Sequence, residues 1–381
     1  MIKLKNQLLD MPGGWLFISL LTIFVLLFFF NHQNNGYALS QQKNQYYTVA
    51  DFQYVPKIDG HFHYNTSDVR YLKYADSLNF RIISPNVDTE ISIDQQLEIT
   101  SRIKKQFPEK FAFFGTFSVD RFGTPGFARE TVDRIAKCME AGAAGIKIWK
   151  NIGMSLQDHP GKFVMVDDAR FDSVFNYLEQ HHIPLLAHLG EPKNCWLPVD
   201  EMTTANDKRY YQNHPQYHMF LHPEAPSYQD QINVRNHLLQ KHPKLDYVGA
   251  HLASEEWSVE ELAKSFDTYP QLKADLAARI SHLMYQSSTD RDKVRSFLIK
   301  YQDRIIYGTD QSVNEKDTNY SSECEGMKRT WLNNWIYFAT DSSMVFREMP
   351  NIKLKGLQLP REVIDKIFHK NAEIYFNVVV R

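Results

Sequence analysis

From Val55 onward the chain alternates short apolar runs with longer stretches in which apolar residues recur every three or four positions. The runs are Lys57–Tyr64, Arg81–Asn86, Phe111–Ser118, Ala144–Trp149, Pro184–Leu189, Leu245–Leu252, Leu272–Ala277 and Arg304–Gly308, each short enough to be a buried strand. Helical patterns fill the gaps. Ser92 opens one as an N-cap, with Gln95 three residues on. Thr131–Ala141 carries another that stops at Gly142, a residue suited to a left-handed C-terminal turn. Asp167–His182 and Asp290–Tyr301 repeat the pattern, and Pro360–Phe376 predicts a last long helix.

Eight successive strand-then-helix units predict a parallel sheet closed into a (β/α)8 TIM barrel. An open doubly wound sheet would show a glycine-rich first turn, and none follows Tyr64. A barrel needs about 250 residues. The excess falls after strand 5 (Glu191–Gln229) and after strand 8 (Gln311–Asp341), two long βα loops on the face where barrel active sites lie. The first is dense in rings: Trp196, Tyr210, Tyr211, His214, Tyr217, His218, Phe220, His222 and Tyr228.

The N-terminus breaks the alternation. Trp15–Phe30 is an unbroken uncharged apolar segment, preceded by Lys3 and Lys5 and followed by no lysine until Lys43. Residues 1–40 therefore predict a signal-anchor that holds the body at a membrane, outside the cytoplasm. Cleavage near Ser40, after the small-x-small triplet Ala38-Leu39-Ser40, is the alternative and would release a soluble exported protein. Residues 41–54 read as a linker and 55–381 as the barrel.

Composition narrows the classes further. The 381 residues are 43% hydrophobic and 23% charged with a net charge of −2, and no cluster of Lys and Arg marks a nucleic-acid surface. Cys138, Cys195 and Cys324 are odd in number and far apart, which argues against a disulfide framework or a zinc ribbon. The expected partner is a small-molecule substrate, with homo-oligomerisation left open.

Candidate chemistry gathers at the ends of the apolar runs. Asp59-Gly60-His61-Phe62-His63 places two histidines at i and i+2, on one face of a strand, where imidazoles converge on a divalent metal. His188 ends strand 5, His251 ends strand 6, Asp310 follows strand 8 and Lys147 lies in strand 4. Each has an ordinary structural explanation by itself, as a hydrogen-bonded core histidine, a snorkelling lysine or a helix cap. All of them at the same end of separate strands points to a metal site. No Gly-x-Ser-x-Gly, His-Glu-x-x-His or P-loop pattern competes. Cys195 has no identifiable base and reads as a packed thiol.

This order of residues resembles the amidohydrolase superfamily. The Ile58-Asp59-Gly60-His61-Phe62-His63 opening, Gly308-Thr309-Asp310 and the terminal Lys370-Asn371-Ala372 are most similar to its amidohydrolase-related branch. That branch holds metal-dependent hydrolases, lactonases and non-oxidative decarboxylases. The resemblance implies that His61, His63, His188 and Asp310 hold one divalent metal, zinc first and Mn2+ or Fe2+ as alternatives. Neutral imidazoles with one carboxylate suit zinc and leave a position for water. Asp310 is then the proton acceptor and His251 the group that polarises the bond under attack. Lys147 is either a substrate or structural group or, carbamylated, a bridge to a second metal, and we expect the former. Lys150, Arg279 and Trp149 also lie near strand ends and suit an anionic substrate, and Trp196 is expected in a pocket wall. The expected function is a metal-dependent hydrolase cutting a C–N or C–O bond. The alternatives are a non-oxidative decarboxylase of an aromatic or unsaturated carboxylic acid on the same site and a non-catalytic small-molecule-binding barrel.

Overall fold

The computed structural model describes residues 45–89, 91–346 and 349–378. The compact body spans Thr48–Arg381. Eight strands run parallel in chain order in one sheet: β1 (Lys57–Asp59), β2 (Phe80–Pro85), β3 (Phe111–Thr116), β4 (Gly145–Ile148), β5 (Leu185–Ala187), β6 (Tyr247–Gly249), β7 (Lys273–Asp275) and β8 (Ile305–Ile306). Each falls within, or one residue outside, an apolar run of the sequence. The sheet curls until its ends meet, giving a TIM-barrel-like body. At the seam Gly60 N–H donates to Tyr307 O at 2.9 Å, and a short parallel pair joins His63–Asn65 to Ser312–Asn314. A Cβ on Gly60 would stand 2.9 Å from Ile306 Cγ2, and one on Gly308 2.9 Å from His61 Cβ. Both glycines are therefore required for the first and last strands to approach this closely.

Alternation puts Ile58, Ile83, Phe114, Leu186, Val248 and Ile306 into one buried cluster, which Ala372, Phe376 and Val378 of the C-terminal segment complete. The helices begin and end as their sequences dictate. Ser92 Oγ accepts from Gln95 N–H at the start of Ile93–Gln106, and Gly142 is left-handed (φ +93°) beyond Phe127–Glu140.

Four expectations change. The first run does not continue as a strand to Tyr64, because the chain bends out at Gly60 and His63 begins a separate strand. The sixth strand stops at Gly249, so His251 lies beyond it. The two long insertions are partly helical: Ala205–Asn213 sits in the first, and Tyr320–Ala339 in the second. Trp331, Trp335 and Phe338 share one face of that second helix at helical spacing and are fully buried, so it packs as core. Finally, the body begins at Thr48 and not Val55. Phe52 is buried against Phe80 and Trp335, and Trp335 Nε1–H donates to Thr48 O at 2.9 Å. Among the described residues no helix is long and apolar enough to cross a membrane. The apolar segment 15–30 and the triplet 38–40 lie outside the described residues.

Candidate metal centre

At the C-terminal ends of the strands, His61, His63 and Asp310 bring one ligand atom each within 4.8 Å of one another. Asp310 Oδ1 lies 3.3 Å from His61 Nε2 and 3.2 Å from His63 Nε2. The positions follow from the seam. Asp310 N–H donates to His61 O at 2.8 Å, and the left-handed backbone of Asp310 (φ +64°) turns its carboxylate inward. The Asp59 carboxylate fixes the same turn, accepting from Thr309 N–H (3.0 Å), Thr309 Oγ1–H (2.6 Å) and Trp331 Nε1–H (2.9 Å). Burial raises the Asp59 pKa to about 6, against the pull of those donors.

The hydrogen bonds assign the tautomers. His61 Nδ1 is 2.7 Å from Asp275 Oδ2, an obligate acceptor, so the proton is on Nδ1 and Nε2 carries a lone pair. His251 Nδ1 is 2.9 Å from Ala277 O and must donate, which leaves Nε2 to accept from His188 Nδ1 at 3.2 Å. The remaining nitrogen, His188 Nε2, is then a buried lone pair with no partner. Burial keeps these rings neutral: it lowers His61, takes His188 well below its ordinary value and takes His251 to about 3. Burial opposes ionisation of Asp310 too, but the hydrogen bond with His63 works against it and that carboxyl stays well below the usual range.

An imidazole lone pair thus faces an ionised carboxylate oxygen across 3.3 Å. Two acceptors at that distance repel unless a cation stands against them, and besides a metal the Lys147 ammonium does so in part, with Nζ 3.4 Å from the same His61 nitrogen. The donor set of imidazoles with one carboxylate fits a divalent transition metal, and the Asp275–His61 pair is the carboxylate–histidine support that such a ligand uses.

Lys147 projects into the same cluster, with Nζ 3.4 Å from His61 Nε2, and burial lowers its pKa to about 8. His251 opens a turn in which four consecutive residues are left-handed (φ +60°, +56°, +54° and +61°). Such a turn costs about 1–2 kcal/mol per residue. It is held by Asp275 Oδ1, which accepts from His251 N–H at 2.7 Å, and by Ser254 Oγ–H donating to Leu189 O at 2.6 Å.

Of the other predicted residues, Lys150 and Arg279 are close enough to His188 to disfavour its charge, and both are paired with carboxylates. Lys150 pairs with Glu191, and Arg279 Nη2 lies 3.6 Å from the other oxygen of Glu191. Burial disfavours the Arg279 charge, and Asp207, Glu256 and Glu191 restore it. Trp149 is half-buried beside Lys150. Trp196 donates from Nε1 to Pro226 O at 3.2 Å and packs with Cys195, Met202 and Tyr211 inside the insertion. Burial pushes the Cys195 thiol up to about 12, as a packed thiol requires. Sequence reasoning missed Asp275 and Asp59 as site-builders. The signal for Asp275 was present, since a carboxylate within Leu272–Ala277 must find a buried partner.

A TIM-barrel-like body with histidines and an aspartate gathered at its strand ends defines the class of protein. The chain belongs to the amidohydrolase family, whose model matches residues 113–377, and that family is generally metal-dependent. The match takes in His188, His251 and Asp310, while His61 and His63 precede it. A crystal structure of an amidohydrolase II superposes with a TM-score of 0.50 at 12% identity, covering 84% of this chain and 99% of that one. An uncharacterised TIM-barrel protein of Bordetella bronchiseptica gives 0.48 at 13% identity, covering 85% and 99%. For 4-oxalomesaconate hydratase of Rhodopseudomonas palustris the values are 0.44 and 11%, covering 84% and 95%. At such identities the likeness concerns the fold. No curated relative matches the chain in sequence.

Proposed function

We propose that this protein is a metal-dependent hydrolase that cleaves a C–N or C–O bond, as in an amide, lactone or cyclic ester, of a small substrate. The observation that carries the proposal is the convergence of ring nitrogens on one carboxylate: His61 Nε2 and His63 Nε2 lie 3.3 and 3.2 Å from Asp310 Oδ1, Lys147 Nζ stands beside them, and the buried His188 Nε2 on the neighbouring ring pair has no partner. In this reading His61, His63, His188 and Asp310 hold one divalent ion, zinc first. A cation so bound supplies Lewis acidity and makes a water acidic enough to attack at neutral pH.

The chain's own groups handle the proton. Asp310, ionised and 30% exposed, takes it onto its carboxylate and returns it to the leaving group. Asp275 keeps the His61 proton on Nδ1, and His251 does the same for His188, so both rings present lone pairs. His251 has partners at both nitrogens here, which supports a positioning role beside the polarising role expected from sequence. Lys147 is close enough to His61 to support the alternative of a carbamylated bridge to a second metal.

Elemental analysis of the purified protein tests the site. About one equivalent of zinc, manganese or iron is expected, and no transition metal after expression in supplemented medium would overturn the assignment. A screen of lactones and amides then tests the reaction. Release of CO2 from an aromatic or unsaturated acid, with no hydrolysis of any ester or amide, would replace the hydrolase with the decarboxylase.

A further inference from the structure

A cavity of about 610 Å3 opens beside the candidate metal centre, floored by Thr309 and Ala278. Thr309 directly precedes Asp310, and Ala278 N–H is bonded to Thr309 O at 3.2 Å, so the cavity starts one residue from the proposed proton acceptor. Its walls come from both insertions and from the helix after β7. Arg209 stands on Ala205–Asn213, Arg329 and Asn333 on Tyr320–Ala339, and Ser281 on Ile280–Thr289. A volume of this size matches ligand sites, which run to roughly 300–1,000 Å3.

The charge of that lining is one-sided. It contains two arginines and no Asp or Glu among the described residues. Neither arginine is in an ion pair among the described residues: Arg209 Nη2 donates only to Asn206 Oδ1, at 3.1 Å. Elsewhere on this face Lys150 is paired with Glu191 and Arg279 is held by Glu191, Asp207 and Glu256, while Lys147 is turned into the histidine cluster with Nζ against His61 Nε2. Of the groups that sequence alone offered for an anion, Lys150 and Arg279 are therefore committed and Lys147 sits in the histidine cluster, whereas the free guanidinium groups come from the insertions.

We propose that this cavity is the subsite for a carboxylate carried by the substrate at the end remote from the bond that is cleaved, with Arg209 and Arg329 as its recognition cations. The proposal rests on the reading of Asp310 as the reacting centre. Guanidinium forks bind carboxylates through paired charge-assisted hydrogen bonds, and Ser281 and Asn333 add neutral partners.

Titration calorimetry with glutarate, and with glutaramide as its neutral counterpart, tests this on three samples: metal-loaded protein, chelator-stripped protein and the Arg209→Gln/Arg329→Gln double variant. Glutarate should bind the loaded and stripped forms within about threefold of each other and weaken at least about tenfold in the double variant, with glutaramide as weak as that. Both arginines are exposed, so the variant should keep the wild-type circular dichroism and metal content. Each single variant should show part of the loss. Absence of glutarate binding, binding unchanged in the double variant, equal binding of glutaramide, or binding that disappears with the metal would overturn the subsite. Arginine-dependent binding in a protein that never holds metal would support the anion site and overturn the hydrolase reading instead.

Discussion

The two ends of the first strand carry buried ionisable groups in opposite conditions. At its start Lys57 is fully buried, yet Nζ donates to Phe52 O at 2.6 Å and Val55 O at 2.5 Å and lies over the rings of Phe52, Phe80 and Trp335. Just past its end, His61 Nε2 lies 3.3 Å from Asp310 Oδ1 with Lys147 Nζ at 3.4 Å, and His188 Nε2 beyond it has no hydrogen-bond partner. Burial of a polar group costs free energy at both ends. At the first the cost is offset within the chain, and at the second the His188 nitrogen is left without a partner. Burial therefore does not separate structure from function here; satisfaction of the buried groups does.

The largest effect should come from the open end. Asp310→Asn keeps the shape and one oxygen but cannot take a proton, so turnover should fall by at least about 10²-fold. Melting and circular dichroism should stay close to wild type, with some metal lost. Near wild-type turnover would remove the distinction between the two ends.

Asp275→Asn comes next. An amide in place of the carboxylate can donate to His61 Nδ1 and drive the proton onto Nε2, where the lone pair is needed. Metal affinity, measured by chelator competition, should drop about 10–100-fold. An unchanged affinity would show that Asp275 only braces the backbone of His251 and Ala277.

Lys147→Ala sharpens the comparison between strands. With one metal, the metal content should stay near one equivalent while kcat/KM falls. A drop from two equivalents to one would establish the carbamylated bridge.

The smallest effect on the site should be that of Lys57→Met, which leaves metal and turnover alone and acts on stability. Burial lowers the folded pKa of Lys57 to about 7 from its ordinary 10.5. Above about pH 7 the folded protein releases a proton that the unfolded chain keeps, so this group makes stability rise with pH towards about 10. Its charge penalty is fully present below about pH 7. Urea midpoints at about pH 6, 8 and 9.5 should show a rise on the order of 1–3 kcal/mol in wild type and a smaller one in the variant. Equal slopes would mean that the carbonyls and rings hold the proton in place throughout.

The periodicity of apolar positions located all eight strands, since a strand buried on both faces must be apolar along its length. His61, His63, His188, His251 and Asp310 were legible as a set because all stand at the same end of their strand-then-helix units, the first two sharing one unit. Less legible was anything set by contacts distant in sequence. His61 and His63 converge across a bend and not along one strand, because Gly60 and Gly308 let β1 and β8 close at the seam. The helix Tyr320–Ala339 buries its tryptophans against elements far away in the chain, and its run looked like spare loop.

By itself the sequence determined the order of elements, the histidine and aspartate types of the candidate site and the face on which they gather, because these follow from local periodicity and from chain order. Only the tertiary structure decided which nitrogen of each imidazole is free, that Asp275 sets the tautomer of His61, and that Lys150 and Arg279 spend their charge on Glu191. Protonation and charge pairing depend on distances of a few ångströms between residues tens to hundreds of positions apart. No pattern along the chain encodes those distances; the closure of the sheet and the packing of its insertions do.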